Sequence, residues 1–334
     1  MIKYNLKASQ KSFEAIDPPS KYYVELDDLL NGKYLNNVEG FLVVKNVFSH
    51  EIIDSLRNEY FSMFDGDYVY DGNEWTHVKR SKLSHGVGSH PSTIFVRSKS
   101  FCDFIESSIL KKLADILLHS DQSVLCPRAI LRSFSHFSSR CTSSHRDGEY
   151  FHTKDNSKVV NVWIPLGPAD HHHGQLIYLK DSHQNVSTIS KLVKDDRTIT
   201  SDLKGLAERL KTTWYIPTLS KGDIMFHCLN TVHASFDTDN IIPRLSCDLR
   251  FASSIIGSFD DREDQYNITI ETRDQDNNLK AYTVSWVESK KGWESFKSFI
   301  IQDGLSNKNT YYTFPNNFWS HIPFSDPWDI PYSN

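Results

Sequence analysis

The chain reads as a mainly β protein, a sandwich or barrel with flanking helices, and three observations predict it. Short apolar runs recur between residues 127 and 252 with turn residues between them. Segments of helical spacing precede those runs instead of alternating with them, which argues against a β-α-β order. The last run, Arg244-Leu245-Ser246-Cys247-Asp248-Leu249-Arg250-Phe251, alternates polar and apolar residues without a break. That is a strand with one face on a core and the other on a wet cavity or on paired charges.

Taken in order, residues 1–35 are polar, contain Pro18-Pro19, and read as an N-terminal arm draped on the main domain, 36–255. The β-branched run from Val38 to Phe48 predicts a strand, and Ser49 caps an amphipathic helix through Ile52, Ile53, Leu56 and Tyr60. Residues 65–100 show no period and read as a long lid loop. Helical spacing resumes from Phe101 to His119 as one helix. Strands are then expected at 127–135, 141–150, 158–166, 175–180, 213–218, 223–233 and 243–252, with a charged helical insertion at 187–211. Residues 256–334 form a C-terminal extension: a hairpin pairing 266–270 with 281–286, a helix around Trp293 to Ile301, and a tail rich in aromatics. Such a tail is expected to pack back on the core or on a sister subunit, the second case giving a homodimer.

Composition narrows the function. With 39% hydrophobic and 24% charged residues among 334, the chain can bury a sizeable core as a globular protein. A net charge of -5 with no sustained Lys/Arg stripe argues against nucleic acid or an anionic membrane as partner. No apolar run near Met1 has the length of a signal peptide or spanning helix, so a cytoplasmic location is expected. The five cysteines are scattered without a Cys-x-x-Cys pair and read as reduced residues.

The chemistry is expected where histidine and carboxylate fall on one face. If 141–150 is a strand, His145 and Asp147 project together while Arg146 points away. A third ligand, His233, from a distant strand would complete two imidazoles and one carboxylate, the facial set that leaves positions open on Fe(II). Arg244 follows across a hairpin; its guanidinium fork suits the far carboxylate of a dicarboxylate such as 2-oxoglutarate, and Ser235 adds a hydroxyl donor. The expected reaction uses Fe(II), 2-oxoglutarate and O2 to oxidise a C-H bond of a small molecule, releasing succinate and CO2.

These residues resemble the phytanoyl-CoA dioxygenase family of Fe(II)/2-oxoglutarate-dependent oxygenases, from about residue 38 to 252. The resemblance is carried by Gly40 to Ser49, His145-x-Asp147, Val162-Trp163-Ile164-Pro165-Leu166, Gly174-Gln175-Leu176, Ser182-His183, Gly222-Asp223, and His233-x-Ser235 with Arg244. It implies a double-stranded β-helix core, a cupin-like jelly roll, with Trp163 bordering the 2-oxoglutarate. Lys180-Asp181 stands where the family usually has Pro-Gly, and Arg146 where glutamine is more usual. Arg146 thereby becomes a candidate for substrate choice at the rim. Asp147 is retained where halogenating relatives carry a small residue, so hydroxylation or another oxidation is favoured over halogenation.

Other readings stand beside these. Arg244 could instead pair with Asp248, and His171-His172-His173, between turn residues, reads as an exposed loop rather than a ligand site. His227, the nearest decoy for His233, is assigned to the core by its apolar neighbours. Lys79, Arg80 and Lys82 could grip an anionic substrate or simply belong to a solvated lid. The same barrel could also serve a metal-binding cupin-like sensor or isomerase with no oxygenase turnover. No basic groove for a coenzyme A pyrophosphate is evident, so the expected substrate is a neutral to polar secondary metabolite.

Overall fold

The computed structural model describes residues 2–33, 40–64, 66–79, 91–96, 98–121, 123–125, 128–137, 141–149, 159–194, 197–253, 265–273, 279–287, 296–303 and 310–315, the last four stretches as backbone alone. In chain order the strands and helices are β1 (Lys3–Ala8), β2 (Lys11–Ile16), β3 (Tyr23–Glu25), α1 (Leu26–Leu30), β4 (Phe41–Lys45), α2 (His50–Ser62), β5 (Tyr68–Tyr70) and β6 (Trp75–His77). Next come α3 (Pro91–Phe95), α4 (Lys99–Ile105), α5 (Ser108–Leu117), β7 (Val124–Leu125), β8 (Arg128–Phe134), β9 (Val159–Pro165), β10 (Leu176–Leu179), α6 (Val186–Ser190) and α7 (Leu203–Leu210). The chain continues with β11 (Trp214–Tyr215), β12 (Ile224–Cys228), β13 (His233–Ser235), β14 (Arg244–Ala252), β15 (Gln265–Arg273), β16 (Leu279–Val287), β17 (Phe296–Asp303) and β18 (Thr310–Pro315).

Two sheets face each other. The larger runs β18-β17-β8-β14-β9-β12-β4-β3 with β7 on β14, and the smaller runs β1-β2-β11-β10-β13. Alternation along the strands decides what each face meets. On the larger sheet Leu42, Val44, Val162, Ile164, Ile224, Phe226, Leu245, Cys247 and Leu249 turn outward and pack with Ile53, Leu56, Phe101 and Leu113 of the helices. Outward-facing Ile177, Leu179 and Ala234 of the smaller sheet pack with Leu203 and Leu206 of α7. Between the sheets, Phe41, Val43, Trp163 and Met225 meet Leu176, Tyr178 and Tyr215. The architecture is the expected double-stranded β-helix with flanking helices, and its interior is where a site can form.

Several local expectations change. Residues 3–25 add strands to both sheets: β2 pairs in parallel with β11 of the smaller sheet, where Leu6, Ala8, Phe13 and Ala15 are buried, and β3 pairs in parallel with β4 of the larger. The single helix expected from Phe101 to His119 is two, α4 and α5, because Ser107 takes extended dihedrals (φ -57, ψ 140) and restarts the chain. Within 65–100, β5 and β6 form a hairpin docked on α2, with Arg57 bound to Glu74 and the Trp75 indole donating to Asn58 at 2.7 Å; residues 80–90, including Arg80 and Lys82, lie outside the described residues. The hairpin expected near 266–286 is β15 paired with β16. The helix expected around Trp293 to Ile301 is instead β17, paired in parallel with β8, as the β-favouring Phe-Ile-Ile run allows. The aromatic tail beyond Pro315 lies outside the described residues.

Candidate active site

His145 sits at the inner edge of the smaller sheet, bridged to His233 of β13. Asp147 does not share a strand face with it, as the spacing suggested. The strand ends at the bridge, and Asp147 opens a short 3-10 turn, Asp147–Glu149, which swings its carboxylate back under the imidazole. The turn is held by the Gly148 N–H donating to the Leu229 carbonyl at 2.8 Å. His233 is placed by its neighbours: the Val232 N–H donates to Ser182 Oγ at 2.9 Å, and the Thr231 hydroxyl to the Gly40 carbonyl at 2.7 Å. This gives Gly40 and Ser182 of the motifs a positional role.

One ligand atom from each of His145, Asp147 and His233 converges within 4.8 Å, and all three residues are buried. Nδ1 of His145 lies 2.8 Å from the Ser143 carbonyl and Nδ1 of His233 lies 3.0 Å from the Thr231 carbonyl. A carbonyl only accepts, so each Nδ1 carries the proton and each Nε2 keeps its lone pair for a metal. Those Nε2 atoms lie 3.5 and 3.7 Å from Asp147 Oδ1. Burial alone would raise the Asp147 carboxyl, but Arg250 and the two imidazoles outweigh it and hold it well below the usual carboxylate range. Burial, with His145 adding to it, pushes His233 well below the usual imidazole range. Neutral imidazole and ionised carboxylate are the forms a divalent ion binds, so the donor set fits Fe(II).

The opposite wall is the polar face of β14. Asp248 pairs with Arg132 of β8 at 2.5 Å, and Arg250 pairs with Asp147 at 2.8 Å. Arg244 does not take Asp248. Its Nη1 donates to the Gly174 carbonyl, its guanidinium carbon lies 4.6 Å from the Phe134 ring centre and 5.6 Å from that of Trp163, and Nε has no partner among the described residues. Burial, helped by Arg132, pushes its guanidinium down to about 9, which still leaves it charged at neutral pH. At 1% exposure it is a buried cation without a carboxylate among the described residues, a situation that costs several kcal/mol unless an anion joins it, on the order of the penalty for a buried lone charge. Ser235 and Trp163 face the same interior. Ser235 Oγ accepts from the Thr142 N–H at 2.7 Å and keeps its own proton to donate, while the Trp163 indole N–H is buried without a partner among the described residues.

The remaining sequence candidates lie elsewhere. Arg146 points away from the cluster of His145, Asp147 and His233 but is not at a rim: it is buried, bound to Glu149, to the Val186 carbonyl at 3.2 Å and to Ser190 Oγ at 2.7 Å, so it anchors the Asp147–Glu149 turn to α6. Lys79 is exposed and 3.6 Å from Asp67. His171 and His172 are exposed, and His173 is buried between Asp170 and Asn240. His227 is not in the apolar core: it faces inward, 4.7 Å from the His233 ring, with Nδ1 3.2 Å from the Tyr178 hydroxyl, and burial lowers its pKa to about 4. Its place was legible in retrospect, since Met225 and His227 share the inner face of β12. Asn161 and Arg250 line the same wall, opposite each other in the β9–β14 register.

A sequence model of the family described as Phytanoyl-CoA dioxygenase (PhyH) matches residues 37–244. In structure the chain is similar to SnoN, described as the non-heme alpha ketoglutarate dependent epimerase from nogalamycin biosynthesis, at 16% identity over 69% of this chain and 83% of that one, with a TM-score of 0.46. It is similar to AviO1 from Streptomyces viridochromogenes Tue57 at 18% identity, covering 66% and 93% of the two chains, with a TM-score of 0.43. EctD from S. alaskensis gives 18% identity, 65% and 74% coverage, and a TM-score of 0.44. No curated protein matches. The family match spans well over half of a chain whose interior gathers two histidines, an aspartate and a buried arginine. The chain therefore belongs to the phytanoyl-CoA dioxygenase family and is a non-haem Fe(II)/2-oxoglutarate-dependent enzyme.

Proposed function

We propose that this enzyme is a dioxygenase that hydroxylates, or otherwise oxidises, an unactivated C-H bond of a small secondary metabolite. In this reading His145, Asp147 and His233 hold the metal, and Arg244, with Ser235 and Trp163 beside it, seats 2-oxoglutarate. Fe(II) with O2 supplies the oxidising chemistry: one oxygen atom enters the substrate C-H bond, and the other enters 2-oxoglutarate, which leaves as succinate and CO2. The observation that carries the reading is Arg244, whose charge is left over among the described residues once Arg132 has taken Asp248 and Arg250 has taken Asp147. A buried fork over an indole and a phenyl ring binds a carboxylate with two parallel hydrogen bonds, fixing both its place and its plane.

The protein's own groups then do the positioning. Trp163 and Phe134 keep water from the guanidinium, the Ser235 hydroxyl donates to the same carboxylate, and the two backbone-bound imidazoles keep Nε2 free. A substrate with a large polyanionic handle is disfavoured because Lys79 and Lys99, the described lysines of 65–100, are already beside Asp67 and Asp103. Residues 36–255 would form the oxygenase domain and 256–334 an extension packed on the core, a packing supported by the pairing of β17 with β8. The aromatic residues from Trp319 to Tyr332 would support a homodimer. A cytoplasmic location is supported by Cys141 and Cys247, two buried cysteines outside any disulfide among the described residues. Among the described residues no helix is long and apolar enough to cross a membrane.

The test is anaerobic addition of Fe(II) and 2-oxoglutarate to the purified protein, followed by its visible charge-transfer band. The band should form in wild type and vanish in His145→Ala. A wild type without the band, or a His145→Ala protein that keeps it, rejects the assignment. Succinate release across a panel of metabolites then finds the substrate.

A further inference from the structure

Resting on the metal site proposed above, we infer that Arg250 is a positioning residue that makes Asp147 a one-oxygen ligand: it holds Oδ2, so that only Oδ1 is presented to the metal. Arg250 is the last polar residue on the inner face of β14, opposite Asn161 of β9. Its Nη2 lies 2.8 Å from Asp147 Oδ2, while Oδ1 of the same carboxylate points between the two imidazoles, 3.5 and 3.7 Å from their Nε2 atoms. The carboxylate is thus divided, one oxygen to the arginine and one to the histidines.

Backbone structure alone does not produce that division. The 3-10 turn and the Gly148–Leu229 hydrogen bond place the Asp147 Cα, and Arg146 ties the turn to α6 through Glu149, Val186 and Ser190. None of these touches the carboxylate, whose terminal torsion is broad and roughly two-fold. Arg250 also has a nearer carboxylate in sequence, Asp248, on the same face of the same strand. That partner is removed from competition by Arg132 at 2.5 Å. Arg250 is left to reach across the interior to Asp147, and both residues are 5% exposed, where a charge-assisted hydrogen bond is strong and its loss leaves an uncompensated charge.

The division has a consequence for the reaction. His145, His233 and one oxygen of Asp147 would hold the ion and leave it room for the keto acid and O2. A carboxylate binding through both oxygens would take up part of that room. By occupying Oδ2, Arg250 keeps it available, although it stands outside the ligand set.

The experiment uses the full-length protein with Co(II) as the probe metal, in wild type, Arg250→Leu and Arg250→Lys. Affinity is measured by chelator competition, and coordination by the visible d-d spectrum before and after 2-oxoglutarate is added. Arg250→Leu is expected to bind Co(II) about 10- to 100-fold more weakly, the usual effect of losing a partner behind a metal ligand, and to show an altered spectrum as Asp147 rotates. Arg250→Lys keeps the buried charge, and therefore the fold, but replaces a planar fork by a single flexible ammonium, so it should fall between the two in affinity and still differ from wild type in spectrum. A wild-type spectrum and affinity in either folded variant overturns the inference; if Arg250→Leu does not fold, Arg250→Lys decides alone. Failure of the wild type itself to bind Co(II) would reject the metal-site reading instead.

Discussion

His145 and His233 exchange backbone hydrogen bonds, the N–H of each donating to the carbonyl of the other at 3.0 and 2.9 Å. Two far-separated segments are thereby clamped at the point where their side chains must converge, with ring centres 4.3 Å apart. Because the clamp is main chain, it survives truncation of either side chain. His233→Ala should therefore keep the circular dichroism of wild type while metal affinity falls by more than the roughly 10- to 100-fold that loss of an outer hydrogen-bond partner costs. Titration calorimetry with Mn(II) on the metal-free proteins measures this, and near-wild-type affinity would remove His233 from the ligand set.

Arg244→Ala separates co-substrate binding from metal binding. The guanidinium lies against Phe134 and Trp163 and touches none of the three proposed ligands, so Mn(II) affinity should be unchanged. The affinity for 2-oxoglutarate should fall on the order of 100- to 10,000-fold, as expected for two charge-assisted hydrogen bonds at about 1.5–3 kcal/mol each, with Arg244→Lys in between. Equal 2-oxoglutarate affinity in wild type and Arg244→Ala by calorimetry would assign this arginine to packing.

How far the site could be read from the chain depends on which residues are compared. The polar and apolar faces of β14 were legible because the two-residue period is written locally, and it placed Arg244, Ser246, Asp248 and Arg250 on one wall. His145 and Asp147 were joined by the wrong element: strand alternation and a bridge followed by a 3-10 turn both bring residues i and i+2 together, and the sequence does not distinguish them. The salt bridge of Arg250 with Asp147 was not legible, because it exists only once Arg132 of β8 has taken Asp248, a choice made by sheet order. His227 was misread for a related reason: its chain neighbours Phe226 and Cys228 are apolar, but they lie on the other face of β12. The break between α4 and α5 was hidden by continuous apolar spacing across Ser107.

Gly222→Ala should be among the more destabilising single-methyl additions in this fold. Gly222 has φ +91, and a Cβ built there would lie 2.1 Å from the Phe48 carbonyl oxygen. Its own carbonyl accepts from the N–H groups of Val47 and Phe48, both at 3.0 Å, so the turn cannot retreat without breaking the junction of β4 and β12. Backbone strain of this kind costs about 1–3 kcal/mol before the clash is counted. A loss of at least about 2 kcal/mol in urea unfolding is expected. By contrast Gly32→Ala, also at positive φ (+70) but with nothing within 4 Å, should cost less.

Acid should weaken the fold through His77, far from the metal ligands in sequence. Its ring stacks on Tyr68 at 4.2 Å, its Nδ1 lies 2.6 Å from Ser135 Oγ, and its backbone N–H donates to the Ile241 carbonyl at 2.8 Å, joining the lid hairpin to the loop before Arg244. Burial, slightly offset by the Lys79 backbone and Asp67, lowers its pKa from 6.5 to about 4. Above about pH 6.5 the ring is neutral in both folded and unfolded chains and contributes no pH dependence. Between 6.5 and 4 the unfolded chain takes up a proton that the folded chain refuses, so stability falls as pH falls through that window, and the decline ends once the folded ring is itself protonated. His227 has a similarly lowered value and titrates in the same range, so the measurement must be a difference between proteins. His77→Phe keeps a flat ring on Tyr68 and removes the proton, so its stability by urea unfolding should decline less than that of wild type between about pH 7 and about pH 5. Parallel declines in the two proteins would place the acid sensitivity elsewhere. A flatter decline in His77→Phe would tie it to the hairpin that adjoins the 2-oxoglutarate end of the site.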